Sequence, residues 1–221
     1  MTTHISLDFE TLGLGENAAL LSIGAVAFDP ASGELGSEFY SAIDPRTQPN
    51  RDIDPSTVLW WLKQDDAARS KITDALKFTD MIESGEVDAL EGEAVEEVFE
   101  NAAHPIHHVA RAFINWVEHF NDEVEVWTNG SVDHAWLESM MKYSGLKNPI
   151  KFWNQRDYRT LKALYPDVTA EFSGVKHNAL DDAIHQAKHA MAILRAHGQY
   201  SAKQIAADIK AADQYDIEPE V

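Results

Sequence analysis

The segment Leu20–Asp29 limits the fold of this chain most narrowly, because its sequence, LLSIGAVAFD, is almost entirely apolar. A strand that is apolar on both faces is typical of the centre of a sheet that is covered on both sides. We predict two further strands, at residues 4–11 and 37–43, and short connections favour antiparallel pairing between the three. The first part of the chain therefore predicts an antiparallel half-sheet with a buried central strand.

Helices and strands alternate in the rest of the chain, which favours parallel additions to the same sheet. Apolar residues at helical spacing, capping residues and stop signals define the predicted elements. They are helices at residues 55–64, 93–101, 106–120, 131–143, 157–165, 178–197 and 201–213, and strands at residues 123–127 and 150–154. We therefore predict a single α/β domain over residues 1–221, with three antiparallel strands and then parallel strands, flanked by helices.

The composition favours a chain without disulfides or a membrane segment. The 221 residues include no cysteine, and 37 acidic residues outnumber 18 basic ones, which gives a net charge of −19. No apolar run of about 18 residues is present, and the start of the chain does not resemble a signal peptide. We therefore expect a cytoplasmic protein. The charge argues against a high-affinity, non-specific nucleic-acid binder, but it does not exclude an enzyme that acts on nucleic-acid ends.

Residues 78–110 contain no lysine or arginine, and we predict an acid-rich insertion at about residues 78–103 that is partly helical. Such a segment is typical of a solvated surface. Three histidines follow it, but a zinc site there lacks a clear fourth ligand. The acidic residues of the segment are Asp80, Glu83, Glu86, Asp88, Glu91, Glu93, Glu96, Glu97 and Glu100.

Two carboxylates, Asp8 and Glu10, end the first predicted strand. Alternate side chains of a strand share a face, so both carboxylates point the same way. Burying two like charges together is costly, and a cation between them would remove the repulsion. Oxygen ligands of this kind suit Mg²⁺ or Mn²⁺.

Further acidic residues lie at the starts of two later helices. Asp133 lies in the middle of the apolar face of its predicted helix, between the directions of Trp136 and Leu137. A carboxylate on a buried face needs a partner or a cation. In the helix at residues 178–197, Asp181 and Asp182 lie on opposite flanks of the apolar stripe, and periodicity does not choose between them.

The order of these motifs resembles that of the DEDDh (DnaQ-like) 3′-to-5′ exonucleases of the RNase H-like superfamily. The matching motifs are D-x-E at Asp8 and Glu10, a helix-start aspartate at Asp133, and H-x-A-x-x-D at His177 and Asp182. The resemblance covers roughly residues 4–197, and it selects Asp182 over Asp181. The acid-rich insertion at residues 78–103 is not part of it.

The resemblance implies that Asp8, Glu10, Asp133 and Asp182 bind two Mg²⁺ or Mn²⁺ ions. It also implies that His177 takes a proton from the attacking water, with release of a nucleoside 5′-monophosphate from a nucleic-acid 3′ end. Imidazole is the side chain that most often acts as such a base. Exonucleolytic cleavage and 3′ polarity are implied by the family alone.

A basic run with interleaved aromatic residues indicates how an acidic protein could bind a single strand. Asp157 is the one acidic residue between Lys142 and Lys162. A solvated face with core aromatics is the alternative for this run, and core packing is the alternative for one or both of the adjacent Trp60 and Trp61. The resemblance implies substrate contacts at Phe9, Thr11 and Leu12. Our further candidate substrate contacts are Trp61, Asn129 and Arg156.

The leading hypothesis is therefore a metal-dependent 3′-to-5′ exonuclease that favours single-stranded DNA. An exoribonuclease or oligoribonuclease-type enzyme on the same site is the close rival, because no sequence feature identifies a contact to a 2′-hydroxyl. A non-catalytic acidic cation-binding protein is the alternative from another class. We also predict no membrane partner and a homodimer as an option for assembly.

Overall fold

A five-stranded mixed sheet forms the centre of the molecule, with the strand order β3-β2-β1-β4-β5. The computed structural model describes residues 3–120 and 123–197. Neighbours β1–β2 and β2–β3 are antiparallel, whereas β1–β4 and β4–β5 are parallel, so the predicted mixed sheet is confirmed. The strands are β1 (Thr3–Thr11), β2 (Leu20–Asp29), β3 (Glu34–Ala42), β4 (Val124–Thr128) and β5 (Gln155–Asp157).

Seven α-helices are present in the described part of the chain, and none of them is long and apolar enough to cross a membrane. Short 3₁₀ turns cover Pro45–Thr47, Glu86–Ala89 and Phe152–Asn154. The helix predicted at residues 201–213 lies outside the described residues. The helices are α1 (Pro55–Trp61), α2 (Asp66–Ser84), α3 (Glu93–Asn101), α4 (Ile106–Glu118), α5 (Val132–Tyr143), α6 (Tyr158–Leu164) and α7 (Ala179–Ala196).

Alternation along β1 divides the interior into two layers. Ile5, Leu7 and Phe9 belong to the larger core, which helices α4 and α5 complete with residues such as Phe113 and Leu137. The opposite face of the sheet is covered by α7, whose small residues Ala183, Ala187 and Ala190 pack in the second core. Small side chains let this helix approach the sheet closely. Asp8 and Glu10 alternate along β1 with the residues of the larger core, so they face α7.

The predicted strand at residues 150–154 is wrong. Phe152–Asn154 form a 3₁₀ turn, and the strand that pairs with β4 is the following segment, Gln155–Asp157. The side chains of Phe152 and Trp153 are 76% and 56% exposed, respectively, so they do not form the buried face of a strand. Aromatic residues favour strands only where a packed sheet surface receives them.

Helix α2 was not predicted, although it is 19 residues long. Its apolar face is narrow, with Ala68 and Ala75 as its buried residues, so its hydrophobic periodicity is weak. The helix continues to Ser84 and ends at Gly85, which has a left-handed φ of 80°. The start of the acid-rich segment is therefore the last part of a regular helix, and α3 occupies the bounds predicted for it.

Candidate active site

The first two carboxylates of the candidate site lie at the carboxyl end of β1. The side chain of Glu10 is buried, and that of Asp8 is partly buried. Gln186 of α7 donates a hydrogen bond from Nε2 to Oδ1 of Asp8 at 2.9 Å. Gln186 is itself buried, so it holds the Asp8 carboxylate in one orientation.

Asp133 reaches the same place from the other side of β1. Helix α5 begins at Val132, after the short turn that follows β4, and its first turn carries Asp133. The backbone N–H of Phe9 donates to Oδ1 of Asp133 at 3.2 Å. Because Phe9 lies between the two β1 carboxylates, this bond ties Asp133 to the end of the strand that carries them.

The third element of the site is the beginning of α7, which the side chain of Asn178 caps through the N–H groups of Leu180 and Asp181. This helix end lies against β2 at Gly24, which is the register partner of Asp8. A Cβ on Gly24 would lie 2.2 Å from the carbonyl carbon of Ala179. Only glycine at this position allows the helix to come so close to the two central strands.

The structure separates the two adjacent aspartates of α7. Asp181 turns away and accepts a hydrogen bond from the backbone N–H of Val175 at 2.8 Å. Asp182 accepts from the backbone N–H of His177 at 2.9 Å, and its charge acts on both Glu10 and Asp8. Asp182 is therefore the member of the pair that joins the other carboxylates.

His177 is held beside them in an unusual backbone conformation, with a φ of 65°. Potential ligand atoms of Glu10, His177 and Asp182 all lie within 4.8 Å of one another. The imidazole also packs edge-on against Trp60, with the two ring centroids 4.8 Å apart. Positive φ in a residue other than glycine is strained, and such strain is common at functional sites.

Crowding changes the acidity of all four carboxylates. Burial, followed by the charges of Asp133, Glu10 and Asp182, raises the pKa of Asp8 well above its usual range. Burial and the neighbouring charges raise the pKa of Glu10 to about 8. Burial likewise raises the pKa of Asp133 to about 7 and raises the pKa of Asp182, although hydrogen bonds from backbone N–H groups oppose both shifts. Full ionisation of the group is therefore unfavourable unless positive charge is added.

This donor set fits divalent cations. Converging carboxylate oxygens that repel one another are the ligands that Mg²⁺ and Mn²⁺ prefer. Among residues 3–120 and 123–197, the group of Glu10, His177 and Asp182 is the one found with the spacing of a metal site. The histidines near residue 104 do not form such a group.

A pocket of about 390 Å³ adjoins the carboxylates. Phe9, Thr11 and Trp61 line it, as do the exposed side chains of Leu14 and Trp60. Two of these residues also have structural roles, since Phe9 packs in the larger core and Trp61 is only 7% exposed. Trp61 Nε1 donates to the carbonyl of Thr11 at 2.9 Å, which fixes the end of β1.

Leu12 and the two remaining candidate substrate contacts lie in different surroundings. Leu12 packs in the small cluster around Trp61. Asn129 lies in the turn between β4 and α5, four residues before Asp133, and its Oδ1 has no hydrogen-bond partner. Arg156 instead pairs with Glu125 at 2.5 Å and donates to the carbonyl of Trp153, so it is engaged away from the carboxylates.

Three residues beside the site were not among the predicted contacts: Trp60, Arg159 and Gln186. The guanidinium of Arg159 donates to the carbonyl of Asn129 at 2.7 Å, and its charge lowers the pKa of Asp133. The position of Arg159 in the basic run was a usable sequence signal, and Trp60 belonged to the conspicuous pair. Gln186 gave no signal, because nothing local distinguishes it from other helical glutamines.

The mixed sheet and the converging carboxylates agree with the resemblance to DEDDh exonucleases that the sequence motifs indicated. The chain also matches the sequence profile of the 3′-5′ exoribonuclease Rv2179c-like domain over residues 3–84 and 89–194, and it belongs to that family. The match includes most of the acid-rich segment and leaves out residues 85–88.

Two nucleases that resemble this chain agree with its assignment to this family. The chain is 28% identical over 176 residues to an exodeoxyribonuclease of Enterobacteria phage T4, across 70% of this chain and 68% of the phage protein. Its fold resembles that of the nuclease domain of 3′hExo, a DEDDh family member bound to rAMP, with a TM-score of 0.54 at 14% identity over 88% of this chain and 92% of that one.

A zinc-bound complex of E. coli ExoI with ssDNA has a TM-score of 0.54 at 13% identity, over 94% of this chain and 43% of ExoI. At these identities, the likeness to both solved structures concerns the fold. The chain is thus a member of a 3′-5′ exonuclease family with the corresponding fold.

Proposed function

We propose that this protein hydrolyses the terminal phosphodiester at the 3′ end of single-stranded nucleic acid, preferably DNA, and releases nucleoside 5′-monophosphates. One observation carries the proposal: Asp8, Glu10, Asp133, Asp182 and His177 converge from three separate elements beside a pocket of about 390 Å³. The 28% identity to a phage exodeoxyribonuclease supports DNA as the substrate.

The four carboxylates would hold two Mg²⁺ or Mn²⁺ ions. When bound, the ions would supply positive charge that stabilises the attacking and leaving oxygens of an in-line displacement. The raised pKa values of Asp8 and Glu10 support this role, because they reflect a negative field that a cation relieves.

His177 is the general base of the proposed reaction. A ring nitrogen of His177 accepts a proton from water as the water oxygen forms a bond to phosphorus. The bond from phosphorus to the 3′ oxygen then breaks, and that oxygen takes up a proton from solvent. Two contacts of His177 support this assignment. Its backbone N–H donates a hydrogen bond to Asp182, and its ring packs against Trp60. Both contacts restrict the imidazole to the neighbourhood of the carboxylates.

The terminal nucleotide would occupy the pocket beside Glu10. A volume of about 390 Å³ falls within the range of small-ligand sites. Trp60, which is 41% exposed, offers a face for base stacking, whereas the largely buried Trp61 supports the pocket wall. Arg159 and Asn129, on the side of Asp133, are suited to bind the phosphate next to the cleaved bond.

The test is digestion of single-stranded DNA and RNA oligonucleotides of the same sequence, labelled at the 5′ end, with Mg²⁺, with Mn²⁺ and with a chelator. We expect a ladder that shortens from the 3′ end, mononucleotide products with 5′ phosphates, and faster decay of DNA. Asp8→Asn and His177→Gln should remove the activity while the circular dichroism spectrum is retained. Internal cleavage, or full activity in both variants, would contradict the proposal.

RNA is the second candidate substrate. The family is described as a 3′-5′ exoribonuclease domain, and the structure of the 3′hExo nuclease domain contains rAMP. Faster decay of RNA than of DNA in the same experiment would select this alternative. Membership of an exonuclease family favours either enzyme over a non-catalytic cation-binding protein.

A further inference from the structure

A second and larger concavity lies on the outer side of α5, with a volume of about 880 Å³. One wall is a single face of that helix, formed by positions 131, 134, 135, 138 and 142, which recur at helical spacing. The opposite wall is residues 146–155, the connection that leads to β5. We call this concavity the α5 groove, and none of the candidate metal ligands lines it.

Two exposed aromatic side chains stand at the rim of the α5 groove. Phe152 and Trp153 contact each other with their ring centroids 4.9 Å apart, and neither belongs to a hydrophobic core. The ammonium of Lys151 lies 5.5 Å from the centre of the Trp153 ring. Adjacent exposed aromatics beside a cation are suited to stack bases of a single strand, because every base has a π face.

The charge of the α5 groove is opposite to that of the protein as a whole. Lys142, Lys147 and Lys151 line it, and among the described residues Glu138 is the one acid that does so. Glu138 accepts a hydrogen bond from Asn148 at 2.9 Å, which partly satisfies its charge. In a chain with a net charge of −19, this local excess of cations favours an anionic occupant.

The α5 groove also adjoins the candidate active site through one helix. The first turn of α5 presents Asp133 to the end of β1, while Ser131 and His134 line the groove. Lys142 lies nine residues beyond Asp133, at about 14 Å along the axis from the 1.5 Å rise per residue. A strand whose 3′ end lies at the carboxylates could therefore continue along this helix.

We propose that the α5 groove binds the segment of single-stranded nucleic acid that precedes the cleaved nucleotide. Phe152 and Trp153 stack its bases, and Lys142 and Lys147 contact its phosphates. This proposal rests on the proposed exonuclease function and adds a binding surface that extends substrate contact beyond the terminal nucleotide. It also explains how a strongly acidic protein retains a polyanionic substrate.

The kinetic test compares a dinucleotide with an oligonucleotide of about 12 nucleotides, a length within the range of single-strand binding sites. Two double variants remove the contacts: Phe152→Ala with Trp153→Ala, and Lys142→Gln with Lys147→Gln. For each, we expect KM for the long substrate to rise about tenfold or more at unchanged kcat, in line with the loss of base stacking or phosphate contacts. Both kinetic constants for the dinucleotide should remain those of the wild type.

Matched control variants come from the acidic side of the molecule. Phe99→Ala removes another exposed aromatic side chain, on α3, and Lys71→Gln removes an exposed cation on α2. Both should leave KM for the long substrate unchanged. Circular dichroism and thermal unfolding check that every variant is folded, and the lysine pair tests the proposal even if the aromatic pair lowers stability.

A binding measurement separates this proposal from the proposed function. Fluorescence anisotropy of the labelled long oligonucleotide, in chelator so that no hydrolysis occurs, should give a Kd about tenfold higher for both double variants. Binding without hydrolysis on metal addition would refute the exonuclease function and leave the groove in place. Unchanged Kd and KM, equal losses on both substrates, or equally tight binding of polyglutamate would refute the groove.

Discussion

Acidic side chains occupy two contrasting regions of this protein. In the candidate active site, four carboxylates from β1, α5 and α7 converge in a largely buried space, and the pKa of every one of them is raised. In residues 78–103, nine acidic side chains are all exposed on α2, α3 and the turn between them. The second region has more acidic residues, yet their side chains are exposed to solvent, and one of them, Asp80, pairs with Arg46.

The difference between the two regions shows that a cation site requires carboxylates that converge and are buried, and that their number alone is not sufficient. A carboxylate exposed to water ionises at little cost in free energy and repels its neighbours weakly, because the solvent screens its charge. The same group inside the protein loses that screening, so each added carboxylate raises the cost of ionising the others. A cation-binding function is therefore expected where several carboxylates are buried together.

The most severe test of the contrast is a neutral substitution in each region. We expect Glu10→Gln to reduce the exonuclease rate by about 10³-fold or more, because it removes a charged ligand from the electrostatic centre of the reaction. Glu96→Gln, on the exposed face of α3, should leave the rate unchanged. Initial rates on single-stranded DNA at saturating Mg²⁺ measure both, and equal effects would remove the distinction between the regions.

The next test asks whether closeness of the elements is required. Gly24→Ala removes no acidic residue, but the added Cβ would lie 2.2 Å from the backbone of α7. Moving α7 by about 1 Å should cost about 10²-fold in rate and destabilise the fold by about 1–3 kcal/mol. Gly15→Ala, which meets no atom within 4 Å, is the matched control. A fully active Gly24→Ala would show that the site tolerates displacement of the helix.

A smaller effect is expected from the residue that orients Asp8. Gln186→Leu removes the 2.9 Å hydrogen bond to Oδ1 while keeping an apolar side chain of similar length. We expect a loss of roughly tenfold in apparent Mg²⁺ affinity, as is typical when a partner of a metal ligand is removed. Activity titrated against Mg²⁺ should then show a shifted midpoint and a near-normal plateau. A lower plateau with an unchanged midpoint would contradict this role.

Stability against pH distinguishes the regions without any catalytic assay. Glu10 has a pKa raised from 4.5 to about 8, so the folded protein holds its proton more tightly than the unfolded chain. Protonated Glu10 therefore contributes to the free energy of unfolding, fully below about pH 4.5, and this contribution is lost as the pH rises through about 8. In chelator, the unfolding temperature should therefore fall over this interval, and the fall should be smaller in Glu10→Gln.

Added Mg²⁺ should oppose that loss, because the cation replaces the protons between the carboxylates. Saturation at 100 times the Kd corresponds to about 2.7 kcal/mol of stabilisation. Differential scanning fluorimetry at pH 5 and pH 8 should show the larger increase at pH 8. An increase that is independent of pH would indicate binding at exposed acids instead.

The smallest effect is expected from the acid-rich segment itself. The triple variant Glu93→Gln, Glu96→Gln and Glu97→Gln should change the free energy of unfolding by no more than about 0.5 kcal/mol per site. Its kcat should equal that of the wild type. Chemical denaturation and steady-state kinetics check both values, and a loss of activity would give the segment a role that its exposure does not suggest.

Much of this architecture could be predicted from local patterns. The apolar segment Leu20–Asp29 indicated a central strand, and the order of strands and helices indicated the mixed sheet. The prediction failed at residues 150–154, where aromatic residues suggested a strand, and at α2, whose apolar stripe is too narrow to stand out. In both places, the outcome depends on which surface the rest of the fold presents.

The candidate site, too, was predictable in part from the sequence. The residue types and their order along the chain determined which carboxylates were candidates, because alternation in a strand and the face of a helix are local properties. The family resemblance selected Asp182 over Asp181, and the tertiary structure brings Asp182 next to Glu10 while Asp181 turns away. Only the tertiary structure decided that Trp60 is exposed while Trp61 supports β1, and that Arg156 is paired elsewhere. These outcomes depend on contacts between residues far apart in the chain, and no periodicity within a single element encodes them.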